Sequence, residues 1–213
     1  MSESQAPAMN LNELLLGLSI EPVSSVEEGQ FNRYLDLLLK WNARMNLTAV
    51  RTHPQIMRTH FVECIVSARA LPAGVDSLLD LGSGAGFPGI PVSICRPEIS
   101  VTLAESQSKK AAFLNEVVRS LGLTTRVFAG RAESIAAKFD CVTLRAVDRM
   151  SAAIAVGCRL LQPQGWLVVL TTKAAAQEVK DASGEMVSGW KTLDLPGSEQ
   201  RILLMGQSAA HPA

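Results

Sequence analysis

The stretch from Asp80 to Pro91, DLGSGAGFPGIP, holds the residues whose types and spacing most directly suggest chemistry. Gly82, Gly84, Gly86 and Gly89 follow the apolar run SLLDL, and a second apolar stretch comes after them. A strand that breaks into a glycine turn and then a helix offers bare backbone to a ligand, because glycine admits positive φ and carries no Cβ. Glu105 closes the next apolar run, SVTLAE, 23 residues after Gly82. An acid at the tip of a second strand can accept hydrogen bonds from both hydroxyls of a ribose. A phosphate-binding Walker loop is excluded, because Ile90 and Pro91 follow Gly84 and Gly89 where Lys and Ser or Thr are required. A dinucleotide fingerprint can be fitted at Gly84, Gly86 and Gly89, but its tight turn should start at Gly82. Pro88 also removes one N–H that a pyrophosphate would use.

The remaining pattern is hydrophobic–Asp–hydrophobic–Gly–x–Gly–x–Gly, built on Asp80, Gly82, Gly84 and Gly86. It is similar to the first motif of AdoMet-dependent methyltransferases, whose ligand carries no phosphate and lays its amino-acid and adenosine portions on backbone. Glu105 fits any adenosine ligand and does not choose between AdoMet and NAD. RAE at Arg131–Glu133 reads either as an adenine contact or as an ordinary helix start. In CVTLRAV, Arg145 puts a charge at the carboxyl edge of an apolar strand, where ligands sit in open α/β sheets. A structural salt bridge is the alternative reading of Arg145.

These residues need a scaffold. The 213-residue chain is 47% hydrophobic and 19% charged, with formal net charge +0, so a sizeable core is expected and no strong overall field draws it to nucleic acid. Residues 1–8 read as a disordered start. Residues 9–74 read as a helical extension, in which Phe31, Tyr34, Leu35, Leu38 and Trp41 form one apolar face behind a cap at Ser24 or Ser25. A further helix is expected over about 54–71. Residues 75–207 alternate strand, turn and helix, which predicts a parallel sheet with helices on both faces. Strands are expected at about 77–82, 100–105, 124–128, 140–145 and 165–171, and the clearest helices at 107–121 and 149–161. GWKTLDLPGSEQRILLMG reads as a terminal antiparallel hairpin, and 208–213 as a tail. Cys64, Cys95, Cys141 and Cys158 form no CxxC pair and read as reduced, buried thiols in apolar surroundings. No metal ligand set, leader or membrane span is expected, which points to a cytoplasmic protein.

The chain resembles the guanine-N7 methyltransferases of bacterial small-subunit ribosomal RNA, also known as glucose-inhibited division protein B. The resemblance covers about residues 30–205 and rests on YLDLLLKWNARMNLTAV, RTHFVECI, DLGSGAGFPGIPVSI, TLAESQSKKAAFL, RAES, LRAV and GSEQRILLM. It implies a class I AdoMet-dependent methyltransferase fold, α/β and Rossmann-like, with a seven-stranded, mostly parallel sheet ending in an antiparallel hairpin. It also implies that Gly82 and Phe87 line the AdoMet pocket with Gly84 and Gly86, that Glu105 holds the ribose, that Ala132 and Glu133 meet the adenine, and that Arg145 completes the site. Glu105 stands where Asp is expected, Ala85 where Pro is frequent, and HFVEC where the family carries His-x-x-Asp-Ser. Lys173 lacks the glycine that commonly follows it.

The implied substrate is 16S ribosomal RNA or the small subunit, acted on by a monomer. N7 of guanine attacks without a general base, and the chain shows neither a Pro-Cys nucleophile nor an Asn/Asp-Pro-Pro-aromatic loop. Arg33, Lys40, Arg44, Arg51 and Arg58, opposed between residues 30 and 60 only by Asp36, are candidate phosphate contacts. His53, His60, Lys109, Lys110 and Lys173 extend that set. A solvated helix face is the plainer reading for any one of these cations, and a core histidine for His60. An AdoMet enzyme with a small-molecule or protein substrate, or a nucleotide-binding module without turnover, are the alternative functions.

Overall fold

The computed structural model describes residues 10–209; residues 1–8 and the last four positions of the expected tail lie outside the described residues. Helix α1 (Leu11–Gly17) is capped by Asn10, whose side chain accepts from the N–H groups of Asn12 and Glu13. Helix α2 (Ser25–Asn42) opens with a capping box between Ser24 and Glu27, which assigns the cap to Ser24. Phe31, Tyr34, Leu35 and Leu38 are buried on its inner face. Trp41 is half-buried, with its indole N–H donating to Glu116 at 3.1 Å. Helix α3 (His53–Ile56) passes through a π-helical segment, Met57–Val62, into α4 (Glu63–Arg69) without leaving helical dihedrals. π segments are wider than α turns and are frequent at functional sites.

The sheet contains β1 (Ser77–Leu81), β2 (Ser100–Ala104), β3 (Arg126–Phe128), β4 (Phe139–Arg145), β5 (Leu161–Thr172), β6 (Val187–Asp194) and β7 (Arg201–Ser208). Their order is β3-β2-β1-β4-β5-β7-β6; β7 runs against the direction of the other six, pairing antiparallel with both β5 and β6. The order reverses beside β1, so the crevice outside the ends of β1 and β4 is where an α/β sheet binds its ligand. Helices α5 (Gly89–Cys95), α6 (Ser108–Leu121), α7 (Met150–Arg159) and α8 (Ala176–Ser183) make the connections. On one face α5 and α6 share a continuous core with α1, α2 and α4 through Phe31, Ile65, Ile90 and Phe113. Ile154, Cys158 and Val179 of α7 and α8 cover the other. The helical extension is therefore built into the sheet's own core. Among the described residues, no helix is long and apolar enough to cross a membrane.

The elements differ from the sequence reading in a few places. β5 begins at Leu161 rather than near 165, despite Pro163 and Gly165. The register with β4 shifts between Phe139 and Cys141, and Gln164 takes positive φ, so a bulge carries residues that otherwise break strands. α7 accordingly stops at Arg159. β3 is confined to 126–128, and Thr125 is instead buried with its hydroxyl on Ser93. α8 was not individually placed from the sequence. Ser208 ends β7 and Ala209 donates to the carbonyl of Met186, so the last strand runs one residue past 207.

Gly89 is the tightest helix-to-strand contact near the crevice. A Cβ there would lie 2.3 Å from Leu103 Cδ2 and 2.9 Å from Asp80 Cβ. Gly89→Ala is expected to lower the unfolding free energy by about 1–3 kcal/mol through overpacking, read as a shifted denaturant midpoint at constant m-value.

Candidate functional site

The glycine turn joins β1 to α5 and is fastened from three directions. Asp80, 1% exposed, accepts from Gly89 N–H at 3.1 Å and from the Thr143 hydroxyl at 3.0 Å. Its carboxylate thus faces inward and ties the turn to β4. Burial pushes the Asp80 carboxyl up to about 6, while the bonds from Thr143, Ser83 and Gly89 pull it down. Glu105 accepts from Gly84 N–H at 2.9 Å and from Gln107 N–H at 2.7 Å. From α2, the Tyr34 hydroxyl donates to the Ala85 carbonyl at 2.5 Å, and burial holds its phenol well above the usual range. Gly86, at φ 94°, has no room for a side chain: a Cβ would sit 2.7 Å from Ile90 and 2.9 Å from the Tyr34 hydroxyl.

Beside this turn opens a cavity of about 690 Å³. One wall carries Gly82, Gly84, Phe87, Glu105, Lys110 and the turn from Gly130 to Glu133; another carries Ala146–Arg149. The third comes from the helical extension and β7: Leu47–Val50, His60 and Arg201, with Arg145 beneath. Asn42, buried, shapes the first of these. Its carbonyl accepts from the N–H groups of Leu47 (2.9 Å) and Thr48 (3.1 Å), and its amide donates to the carbonyls of Thr48 (3.2 Å) and Val50 (3.4 Å). One side chain at the end of α2 thereby fixes the whole loop.

Glu63 is the electrostatic centre. Its Oε2 accepts from Arg145 at 3.0 Å and from Arg201 at 3.1 Å, with its side chain only 4% exposed. Arg145 Nη2, whose two hydrogens are shared among three acceptors, also lies 2.6 Å from the Thr59 carbonyl and 2.9 Å from His60 Nδ1, and its guanidinium lies 5.6 Å from the centre of the Phe87 ring. The π segment supplies both Thr59 and His60 to this one cation. Burial first, then the Arg145 charge, lowers the His60 imidazole to about 4. Cys64 does not sit among apolar groups alone: Arg145 Nη1 lies 3.4 Å from its sulfur. Burial still pushes that thiol up to about 12, which keeps it unreactive.

The family model described as "GidB: rRNA small subunit methyltransferase G" matches residues 27–203. Ribosomal RNA small subunit methyltransferase G of Xanthomonas campestris is 35% identical over 207 residues, 93% of this chain and 95% of that one. Its namesake from Stenotrophomonas maltophilia is 37% identical over 205 residues, 92% of this chain and 94% of the relative. This chain belongs to the GidB family. Among solved structures, a methyltransferase from Pyrococcus furiosus superposes with TM-score 0.62 at 12% identity, over 84% of this chain and 98% of that one. A predicted O-methyltransferase from Agrobacterium tumefaciens gives TM-score 0.58 at 19% identity, over 71% and 82%. The fold is that of class I AdoMet-dependent methyltransferases.

In this GidB chain the cavity brings together Gly82, Gly84, Phe87, Glu105, Ala132, Glu133 and Arg145, with His60 and Lys110 from the cationic set. Gly86 stands behind the turn, against Tyr34 and Ile90. Arg145 is held by the salt bridge that the sequence left as its alternative role. Arg33, Lys40, Arg44, Arg51, Arg58 and Lys109 are exposed and lie outside the lining, as does half-buried His53. Lys173 pairs with Asp194 at 2.9 Å, in a separate shallow hollow beside Leu195–Gln200. Sequence reasoning overlooked Thr48, Arg149 and Arg201 as site residues. Arg201 carried a usable signal: like Arg145, it is a lone charge at the end of an apolar strand.

Removing a buried carboxylate from between two guanidiniums leaves uncompensated charge, so Glu63→Gln is expected to cost about 3–5 kcal/mol in urea unfolding. A pH series isolates His60. The unfolded chain takes up this proton near 6.5 and the folded chain only near 4, so stability from neutral His60 is complete above 6.5 and is lost as pH falls towards 4. The stability difference between the parent chain and His60→Gln should shrink by about 3 kcal/mol between pH 7 and 4.

Proposed function

We propose that this chain transfers the sulfonium methyl group of AdoMet to N7 of a guanine in 16S ribosomal RNA. The observation that carries this reading is the pairing, in one cavity, of a side-chain-poor glycine turn with a ribose-type acid at the tip of β2. The volume lies within the range of about 300–1,000 Å³ for small-molecule sites. Gly82, Gly84 and Gly86 shape the backbone against which the amino-acid portion rests. Phe87 lines the pocket, Glu105 has unused lone pairs for the ribose hydroxyls, and Ala132 and Glu133 flank the adenine. Arg145, immobilised by Glu63, Thr59 and His60, closes the floor.

The N7 lone pair forms the new N–C bond while the S–C bond breaks and its electrons return to sulfur. No proton leaves the base, and the positive charge passes from sulfur to the guanine ring. The cavity suits that economy. His60 Nδ1 is occupied by an Arg145 N–H, Glu63 is shared by two arginines, and Asp80 is sealed under the turn. Catalysis then rests on proximity and alignment, which supply about 7–11 kcal/mol. Phosphate contact falls to the exposed cations Arg33, Lys40, Arg44, Arg51, Arg58 and Lys109, with Lys110 at the cavity edge. His60 and Lys173 contribute less, being committed to Arg145 and Asp194.

A mass-spectrometric map of ribosomal RNA from cells with and without the gene should show one 7-methylguanosine that depends on this protein; identical maps would defeat the reading. Calorimetry should show AdoMet binding without NAD binding. In the same assay Glu105→Ala should weaken AdoMet by about tenfold or more, as expected for lost charge-assisted hydrogen bonds. Unchanged affinity removes Glu105 from the site.

A further inference from the structure

We propose that the Thr48 hydroxyl is an oriented hydrogen-bond donor that reads the O6 carbonyl of the target guanine. The inference rests on the function proposed above and assigns the feature of the base that the cavity selects. Its starting point is Arg145, which has donors and no acceptor. The 2.9 Å contact between Arg145 Nη2 and His60 Nδ1 therefore makes Nδ1 the acceptor. A neutral imidazole so engaged carries its proton on Nε2, and Nε2 lies 2.9 Å from Thr48 Oγ1. Thr48 Oγ1 accepts that N–H and also the backbone N–H of Val50 at 3.2 Å. Both lone pairs of the hydroxyl are then filled, and its hydrogen is the group left to find a partner. Among the described residues no acceptor takes it, and Thr48 lines the cavity.

The polarity of this chain is set by a cation whose own position is fixed by Glu63, so the hydroxyl cannot reverse from donor to acceptor. The loop that carries it is equally fixed, by Asn42. On its Hoogsteen edge guanine presents N7 and O6, both acceptors, whereas adenine presents N7 beside an N6 amino donor. A donor aimed at position 6 is satisfied by guanine and confronts a second donor in adenine. It leaves N7 unengaged and free to attack. A hydroxyl achieves this without setting another full charge against a ring that becomes cationic during transfer. A site built to hydrogen-bond a substrate group discriminates strongly against an analogue that lacks it.

The test uses the full chain and small-subunit ribosomal RNA from cells that lack the modification. Thr48→Val should lower kcat/KM for the RNA by about tenfold or more, and Thr48→Ser should restore it to within about threefold. AdoMet affinity should remain at the parent value in both, and Tm should remain so in Thr48→Ser, whereas Thr48→Val should lower Tm by a few degrees because His60 Nε2–H and Val50 N–H lose their acceptor. Valine also removes the acceptor of His60, so the substrate supplies an independent arm. RNA with 2-aminopurine at the target position keeps N7 and lacks O6. The parent enzyme should methylate it about tenfold more slowly than guanine, and Thr48→Val should show no such preference. Equal rates on the two bases by the parent enzyme would overturn the assignment, as would a valine variant within twofold of the parent. Parent enzyme that methylates no guanine at all would instead remove the function on which the inference depends.

Discussion

Everything at the centre of this molecule turns on one carboxylate shared by two guanidiniums. Glu63 comes from α4, Arg145 from the end of β4 and Arg201 from the start of β7, so a single acceptor oxygen joins the helical extension, the middle of the sheet and its antiparallel edge. Taking three charges out of water is expensive, and such groups rarely add stability over apolar packing of the same volume. What the arrangement supplies here is geometry. Arg145 is 8% exposed and has three oxygen or nitrogen partners on one Nη atom, which leaves its guanidinium one place to be. The π segment is part of that solution, because it delivers the Thr59 carbonyl and the His60 ring to the same cation.

From that fixed cation the electrostatics of the cavity follow. Burial first, and then the immobile positive charge beside it, keeps the His60 imidazole neutral, and that charge dictates which nitrogen bears the proton. It also lies against the Phe87 ring, whose centre is 4.7 Å from that of His60. The acids are disposed of differently: Asp80 anchors the turn from beneath, and Glu105 clasps it from the side. Asp80, Glu105, Glu63 and His60, groups that could serve elsewhere as acid or base, are here spent on holding backbone and on holding each other. A reaction that requires only a lone pair and a well-placed methyl group leaves them free for that purpose.

Much of this was legible in the sequence because it is local. The apolar face of α2, the strand rhythm after Asp76 and the glycine pattern are each written within a dozen residues, and each maps onto the structure. The shape of β5 was not legible, because Pro163 and Gly165 are local breakers that a bulge against β4 overrides. Lys173 read as a candidate cation because spacing reports charge but not its neighbour, and Asp194 lies on another strand. The roles of Asn42, Thr48 and Glu63 depend on partners from 2 to 138 residues away. Their residue types were visible in WN…NLTA and HFVEC, but the contacts that give Asn42 and Thr48 meaning are side-chain bonds within the folded extension, and Glu63 meets its arginines only once the extension has docked.

That docking explains why the two most distinctive stretches of the chain, the WN…NLTA segment and the GAGFPGIP turn, belong together. Tyr34 of α2 hydrogen-bonds the turn at Ala85 and fills the space that a side chain at Gly86 would need. Tyr34 and Phe61 both pack on Phe87, at centroid distances of 5.3 and 5.9 Å. Neither stretch could change alone: a bulkier turn would collide with α2, and a displaced α2 would release both the turn and the Asn42 loop. The helical extension is therefore not an accessory laid over a complete sheet domain. It supplies one wall of the cavity, the partners that immobilise Arg145, and the packing that gives the glycine turn its shape.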